Sequence, residues 1–172
     1  GSMGGAVAKG AGKGVGGGSL LLANRTPAKG EALAAELGGQ ACDNGTAARQ
    51  DYIFLGVKPQ MMAGMLEGIR PVLRERMEKG ETFTLVTMAA SLTIGKIREM
   101  AGVEAPTVRI MPNLPVSIGK GVILYTASGA EKTLPGLLEA LAPAGMLLPV
   151  EERLIDAGSA VAGCGPAFAC LF

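Results

Sequence analysis

The sequence predicts an α/β fold in which helices cover both faces of a doubly wound, mostly parallel sheet. Two observations predict this fold class. Short apolar runs of strand length alternate with longer helix-like segments along the 172 residues, which indicates successive βαβ units. The run YIFLGV at residues 52–57 is apolar throughout, as expected for a central strand that is buried on both faces. In such a sheet, the ligand crevice lies at the carboxyl ends of the strands.

The individual elements follow from the apolar runs and from the Gly and Pro residues that separate them. The predicted strands are residues 20–23, 40–42, 52–57, 83–88, 107–111, 122–126 and 146–150. The predicted helices are residues 1–10, 27–37, 60–79, 93–100, 131–141 and 152 onward. Residues 11–19, AGKGVGGGS, predict a flexible loop, and Gly-Cys-Gly-Pro predicts an interruption of the last helix around residues 163–166.

Single residues indicate where three of these helices begin or break. Thr26 and Pro27 are the residue types preferred at an N-cap and at the first helical position. Thr93 is a second predicted cap. Pro71 is expected to break the helix over residues 60–79, because proline removes one backbone hydrogen bond and crowds the preceding turn.

The charge and aromatic content exclude several classes of function. The chain has 16 basic and 15 acidic residues and only 3% aromatic residues, so neither nucleic acid nor an anionic membrane surface is an expected partner. It contains no histidine, which excludes imidazole catalysis and histidine-ligated metal within this sequence. The apolar C-terminal stretch over residues 158–172 is too short to predict a membrane span.

The three cysteines, Cys42, Cys164 and Cys170, form no C-x-x-C pair and are odd in number. They therefore predict neither a disulfide framework nor a zinc site, and no metal is expected. Together with the lack of a recognisable secretory signal, this cysteine usage predicts a reduced, cytoplasmic protein.

The glycine-rich turn at Gly1-Ser2-Met3-Gly4 precedes a predicted helix. Free N–H groups and the positive end of the helix dipole attract phosphate at such a position. The turn contains only the end of a G-x-G-x-x-G fingerprint, and no strand precedes it in this sequence, so taken alone it is equally typical of an ordinary glycine-rich helix start.

The tripeptide Asn24-Arg25-Thr26 follows that turn by about 20 residues, the spacing at which a dinucleotide-binding fold contacts the adenosine ribose. A carboxylate there would accept hydrogen bonds from the ribose of NAD. Arg25 can instead pair with a 2′-phosphate, and the amide and hydroxyl beside it can donate further hydrogen bonds. NADPH is therefore the predicted cofactor, with NADH as the alternative. A solvent-facing arginine beside an N-cap threonine would also explain the tripeptide.

Three further loops follow predicted strands: Val57-Lys58-Pro59-Gln60, Ala89-Ala90-Ser91, and Met111-Pro112-Asn113-Leu114-Pro115. The two prolines that bracket Asn113 predict a rigid loop that holds its amide in a fixed direction. An ordinary helix start at Lys58 and an ordinary turn at Asn113 are the simpler interpretations.

The order of these loops resembles the pyrroline-5-carboxylate reductase family over nearly the whole chain. The motifs that carry the resemblance are ANRTP, FLGVKPQ, RIMPNLP followed by GKGV, and AGCGPAF. The resemblance implies reduction of the C=N bond of 1-pyrroline-5-carboxylate to L-proline by NADPH or NADH, the last step of proline biosynthesis. It also implies a homo-oligomer, dimeric or larger, that assembles through a C-terminal helical domain.

The resemblance implies roles for the matching positions. The implied cofactor-binding residues are Gly1, Ser2, Met3, Gly4, Asn24, Arg25, Thr26, Val57, Lys58, Pro59, Ala89, Ala90, Asn113 and Pro115. The implied substrate-binding residues are Gly163, Cys164, Gly165 and Pro166. No catalytic residue is assigned, because the cofactor supplies the hydride and the sequence identifies no proton donor.

The chain departs from the family pattern at both ends. The first strand and first fingerprint glycine do not precede Gly1, and Ala162 and Cys164 stand where the family motif has serines. Residues 1–150 are expected to form the NAD(P)-binding domain, and residues 151–172 the start of the helical dimerisation and substrate domain. The chain as given is therefore expected to be incomplete for activity. A non-catalytic NADP-binding regulatory protein and a related dehydrogenase acting on another imine or a hydroxy acid are the alternatives.

Overall fold

The computed structural model describes residues 2–169 and, within them, every side chain except those of Pro166 and Ala167. The strands are β1 Leu21–Ala23, β2 Gln40–Cys42, β3 Tyr52–Leu55, β4 Thr84–Thr87, β5 Thr107–Pro112, β6 Gly121–Ser128 and β7 Gly145–Pro149. The α-helices are α1 Ser2–Val15, α2 Pro27–Leu37, α3 Asn44–Ala47, α4 Met62–Glu78, α5 Ile94–Ala101, α6 Leu134–Leu141, α7 Glu152–Ser159 and α8 Gly165–Ala169. Short 3₁₀ helices span Gly17–Ser19, Pro59–Met61, Leu114–Ile118 and Ala142–Ala144, and Ala160–Cys164 form a π-helical turn. Each predicted strand is confirmed to within two residues at either end.

The strands form two sheets. In the larger sheet the order is β3-β4-β5-β6-β7, with β3, β4 and β5 mutually parallel, whereas β6 runs antiparallel to β5 and β7 parallel to β6. Strands β1 and β2 form a separate parallel pair. The predicted α/β fold with a mostly parallel sheet is therefore confirmed, with one antiparallel step between β5 and β6.

Two apolar cores lie on opposite faces of the five-stranded sheet. Leu85 of β4 belongs to a core that includes Leu66 of α4 and Ile97 of α5. The next residue, Val86, belongs to a second core that includes Val7 of α1 and Leu137 of α6. Because consecutive strand residues point to opposite faces, this division shows that helices cover both faces of the sheet, as the doubly wound class requires.

The prediction that residues 52–57 form a central strand is wrong for the described part of the chain. Strand β3 pairs with β4 along one edge only and ends the five-stranded sheet. Ile53 and Leu55 point into the core, whereas Phe54 faces the other way and is 38% exposed. The apolar run predicts a strand that is covered on both faces and paired along both edges. In the described part of the chain, no strand lies against the second edge of β3.

The prediction of a flexible loop over residues 11–19 is also wrong, because α1 continues to Val15. Ala6, Val7, Gly10 and Ala11 form one buried face of this helix. A Cβ atom added to Gly10 would lie 2.7 Å from the Cβ of Ala144. Glycine is therefore needed here for close helix packing, a requirement that the local composition does not distinguish from flexibility.

We expect Gly10→Ala to lower the stability of the fold by about 1–3 kcal/mol, the usual cost of overpacking. The added methyl group would meet both Ala144 and, at 2.8 Å, the backbone oxygen of Val116. Gly68→Ala is the matched control, because a Cβ at that helical position meets no atom within 4 Å and alanine favours a helix by about 1 kcal/mol over glycine. Thermal unfolding of the two variants should shift in opposite directions. A Gly10→Ala protein as stable as the Gly68→Ala protein would contradict the packing described here.

Three helix predictions need correction. Pro71 does not break α4; it lies on the exposed side of an uninterrupted helix whose apolar face is buried. The helix predicted from residue 131 begins instead at Leu134, which places Pro135 in the first turn, where proline is tolerated. The predicted interruption around residues 163–166 is a π-helical turn that joins α7 to α8 rather than a break. Of the two predicted caps, Thr93 is confirmed, because it accepts a hydrogen bond from the N–H of Lys96. Thr26 occupies the N-cap position of α2 without a side-chain capping hydrogen bond.

The short helix α3 was not predicted. Asp43 caps it by accepting hydrogen bonds from both the N–H and the hydroxyl of Thr46.

Within residues 2–169, no helix is both long enough and apolar enough to cross a bilayer.

Candidate cofactor site

The N-terminus of α1 lies against the carboxyl end of β3. A Cβ atom on Gly4 would be 3.7 Å from the Cα of Gly56, so the two backbones are in close contact. Gly1 lies outside the described residues, Ser2 is exposed, and Met3 packs against the second core rather than facing outward. The start of α1 therefore presents backbone N–H groups where a phosphate can bind, with Ser2 and Gly4 the accessible part of the predicted turn.

The loop after β1 holds Arg25 outward. The side-chain oxygen of Asn24 accepts a hydrogen bond from the N–H of Thr26 at 2.9 Å, which forms an Asx turn around Arg25. Thr26 occupies the N-cap position of α2, but its side chain makes no capping hydrogen bond. The loop itself thus uses the acceptor oxygen of Asn24, and the predicted side-chain donors, the Asn24 amide nitrogen and the Thr26 hydroxyl, are not used in this turn.

Arg25 contacts the loop that follows β3. Its guanidinium lies 4.0 Å from the sulfur of Met61, at the end of the 3₁₀ turn that begins with Pro59. Arg25 is exposed and forms no ion pair with a carboxylate among the described residues. The structure therefore brings together the loops after β1 and β3, as predicted, and places between them a cation that no carboxylate of residues 2–169 neutralises.

The loops after β3, β4 and β5 end at one edge of the sheet because these strands are adjacent and parallel. Lys58 is exposed, while Val57 packs partly against the first core. Ala89 is buried and donates its N–H to the hydroxyl of Thr87, whereas Ala90 is exposed. Lys58, Pro59 and Ala90 are thus the accessible members of the predicted nicotinamide-side positions.

Asn113 is buried, and its amide is engaged within the protein on both sides. The side-chain oxygen accepts a hydrogen bond from the N–H of Val122 at 2.9 Å, and the side-chain nitrogen donates to the carbonyl of Ala162 at 3.0 Å. Pro115 follows in the 3₁₀ helix Leu114–Ile118. The fixed direction predicted for the amide is therefore used to hold the β5–β6 connection against the π-helical turn.

The predicted substrate residues lie in and just after that π-helical turn. Gly163 and Cys164 are exposed within it, and Gly165 begins α8 with Pro166 as its second residue. Such turns are rare and occur frequently at functional sites. The contact between Asn113 and Ala162 connects this turn to the carboxyl end of β5.

Cys42 is not suited to act as a thiolate. Burial raises the pKa of its thiol, and the charge of the neighbouring Asp43 raises it further. The hydrogen bonds from Thr46 hold the pKa of Asp43 below its usual value, so the carboxylate stays charged at neutral pH. Nor do the described residues contain a group of three or more potential metal ligands.

Sequence reasoning missed an ionic cluster around a buried arginine, next to the loop after β4. Arg109 lies in the middle of β5 with only 1% of its surface exposed, and it pairs with Asp156 and Glu152 of α7. The signal was present in the run TVRIMP, because an arginine inside an otherwise apolar strand requires a charged partner from elsewhere in the fold.

The fold and the loops at its carboxyl edge define a Rossmann-like, NAD(P)-binding domain of the oxidoreductase class. The family model described as "NADP oxidoreductase coenzyme F420-dependent" matches residues 1–77. More narrowly, the chain belongs to the pyrroline-5-carboxylate reductase family, as the similarity to individual proteins shows.

Two of these similarities carry the assignment, and a third supports the fold. The chain is 33% identical over 155 residues to the pyrroline-5-carboxylate reductase of Corynebacterium melassecola, which covers 87% of this chain and 56% of that protein. It superimposes with a TM-score of 0.82 and 26% identity on the Plasmodium falciparum pyrroline carboxylate reductase with NADP bound, covering 100% of this chain and 63% of that one. The Coxiella burnetii pyrroline-5-carboxylate reductase has the same fold, with a TM-score of 0.85 at 24% identity over 99% of this chain and 64% of that one. The chain thus spans little more than half the length of the curated relative.

Proposed function

We propose that this chain is the NADPH-binding part of a pyrroline-5-carboxylate reductase. The observation that carries the proposal is Arg25, an exposed cation without a described carboxylate partner, held by an Asx turn at the end of β1. A guanidinium in this position suits a 2′-phosphate and no group in the loop repels one. The family relationship supports the same conclusion, because the solved structure of one relative contains NADP.

The residues that fit the cofactor are distributed along one edge of the sheet. The N-terminus of α1, with Ser2 and Gly4, would hold the pyrophosphate through backbone N–H groups. Asn24 and Arg25 would hold the 2′-phosphate. Lys58 and Ala90 would border the nicotinamide half, together with the backbone of Val57, Pro59 and Ala89. NADPH supplies the hydride, while the protein supplies binding and orientation.

The substrate side would be formed by the π-helical turn. Gly163 and Cys164 are exposed there, and the turn is held against the end of β5 by Asn113. In this proposal the small, exposed residues of the turn border the carboxylate of 1-pyrroline-5-carboxylate. Replacement of the family's serines by Ala162 and Cys164 removes two hydroxyl donors from that border.

The segment after residue 150 would also join copies of the chain. Leu154, Val161 and Phe168 are exposed by 43%, 75% and 62%, respectively. Large apolar side chains exposed along one helical segment are typical of a surface covered by a partner. This supports the proposed homo-oligomer assembled through the C-terminal helices.

The reaction can be tested on a protein that carries this chain together with a C-terminal helical domain, by following NADPH absorbance in the presence of 1-pyrroline-5-carboxylate and by measuring L-proline in the same sample. We expect NADPH to be consumed only when the imine is present, with one L-proline formed for each NADPH oxidised. A hydroxy acid tested with NADP⁺ serves as the control for a related dehydrogenase. A protein that binds NADPH by titration but does not oxidise it with the imine would contradict the proposed reaction and favour a non-catalytic role.

A further inference from the structure

Arg109 is the most deeply buried charge in the described part of the chain. It lies in β5, and its guanidinium approaches the Asp156 carboxylate at 2.6 Å and the Glu152 carboxylate at 4.0 Å. An arginine stays protonated even when buried, so these two carboxylates must compensate its charge. Only the arginine is buried, because the Asp156 and Glu152 side chains are 55% and 34% exposed.

Both carboxylates also bind the backbone that follows β4. Asp156 accepts a hydrogen bond from the N–H of Ser91 at 3.4 Å, and Glu152 accepts one from the N–H of Ile94 at 2.6 Å. The two acids are four residues apart and so lie on one face of α7. Together they hold Ser91, within the segment that joins β4 to α5, and Ile94, the first residue of α5.

Ser91 has a strained backbone at the same point. Its φ is +61°, and it is the one described residue other than glycine with a positive φ. L-amino acids rarely adopt this left-handed conformation unless surrounding contacts impose it. The hydrogen bond from the N–H of Ser91 to Asp156 is such a contact. Ser91 directly follows Ala89 and Ala90 in the chain.

We propose that Arg109, Asp156 and Glu152 form a positioning cluster that sets the backbone of Ala89 and Ala90 for the nicotinamide half of the dinucleotide. The proposal rests on the proposed NADPH-binding function. Arg109 fixes the two carboxylates, the carboxylates fix Ser91 and Ile94, and the strained conformation of Ser91 directs the preceding residues. The adenine half lies at the Arg25 loop, which makes no described contact with the cluster, so its binding does not depend on it.

The test compares two ligands on the 172-residue chain by calorimetric titration: NADPH, and adenosine 2′,5′-bisphosphate, which contains the adenine half and the 2′-phosphate only. We expect Asp156→Ala to weaken NADPH binding about tenfold, the effect of losing one charge-assisted hydrogen bond, and to change binding of the bisphosphate less than about twofold. Arg153→Ala on the same helix is the control, because it removes only an exposed ion pair with Glu151.

A second substitution separates positioning from a general loss of stability. Glycine adopts a positive φ without strain, so Ser91→Gly introduced into the Asp156→Ala protein should recover most of the lost NADPH affinity. Thermal unfolding of the same variants separates this recovery from the gain in stability that relief of strain gives by itself. If Asp156→Ala does not fold, as judged by circular dichroism, Asp156→Asn retains an acceptor oxygen and should show a smaller loss, again confined to NADPH.

Failure of the positioning proposal can be distinguished from failure of the proposed NADPH-binding function. If the wild-type chain binds neither ligand, NADPH binding itself is wrong. If the wild type binds both and Asp156→Ala weakens both equally, or weakens neither, the positioning cluster is wrong while NADPH binding stands. Failure of Ser91→Gly to recover NADPH affinity would overturn the role assigned to the strained residue.

Discussion

Replacing Arg76 by alanine is expected to lower the free energy of unfolding by about 2–5 kcal/mol, because it leaves two backbone acceptors without a donor. Arg76 lies on α4 with 3% of its surface exposed. Its guanidinium donates to the carbonyl oxygens of Ala48 and Gln50 at 2.9 and 2.8 Å, and to the Glu81 carboxylate at 2.7 Å. This one side chain therefore ties α4 to the segment between α3 and β3.

The aromatic ring of Phe83 adds to the cost. The guanidinium carbon of Arg76 lies 4.6 Å from the centre of that ring, a cation–π contact worth about 0.5–2 kcal/mol. Arg76→Lys should give an intermediate loss, because an ammonium group keeps the charge but cannot reproduce the planar set of donors.

Urea denaturation is the appropriate measurement. A change in the midpoint without a change in the slope m reports a change in the free energy of unfolding. Arg74→Ala is the matched control, since Arg74 is exposed on the same helix, and its loss should stay within about 0.5 kcal/mol of wild type. If the two alanine variants were equally stable, the network around Arg76 would not contribute as described.

The second large effect concerns cofactor choice. We expect Arg25→Ala to weaken NADPH binding by about 10- to 100-fold, which corresponds to the 1.5–3 kcal/mol typical of hydrogen bonds to charged groups. Binding of NADH should change little, because NADH lacks the 2′-phosphate that Arg25 would contact. The ratio of the two affinities, measured by titration, is the quantity to compare.

Lys29→Ala provides the control for this comparison. Lys29 is exposed in the first turn of α2, four residues from Arg25, so its removal changes the net charge by the same amount near the same site. A long-range electrostatic effect would weaken NADPH binding in both variants. An unchanged preference for NADPH over NADH in the Arg25→Ala protein would contradict the assignment of Arg25.

The features predicted well from the sequence are those encoded by neighbouring residues. Apolar runs located every strand, Thr93 was recognised as a cap, and Pro27 marked the first residue of α2. Arg25 at the end of β1 was predictable for the same reason, since it depends only on spacing along the chain and on the residue type.

The features predicted poorly depend on residues that are distant in sequence. The helical state of residues 11–15 depends on the packing of Gly10 against Ala144, which glycine content alone reports as flexibility. The edge position of β3 depends on which strands lie beside it. The partners of Arg109 lie more than 40 residues away on α7, so its charge predicted a partner without identifying one.

We propose that this chain binds NADPH at the edge of the sheet where Arg25 lies. Calorimetric titration of the 172-residue chain with NADPH and, separately, with NADH tests it most directly. We expect saturable binding of NADPH at one site per chain, at least about tenfold tighter than binding of NADH. Equal affinity for the two dinucleotides, or no binding of either, would contradict it.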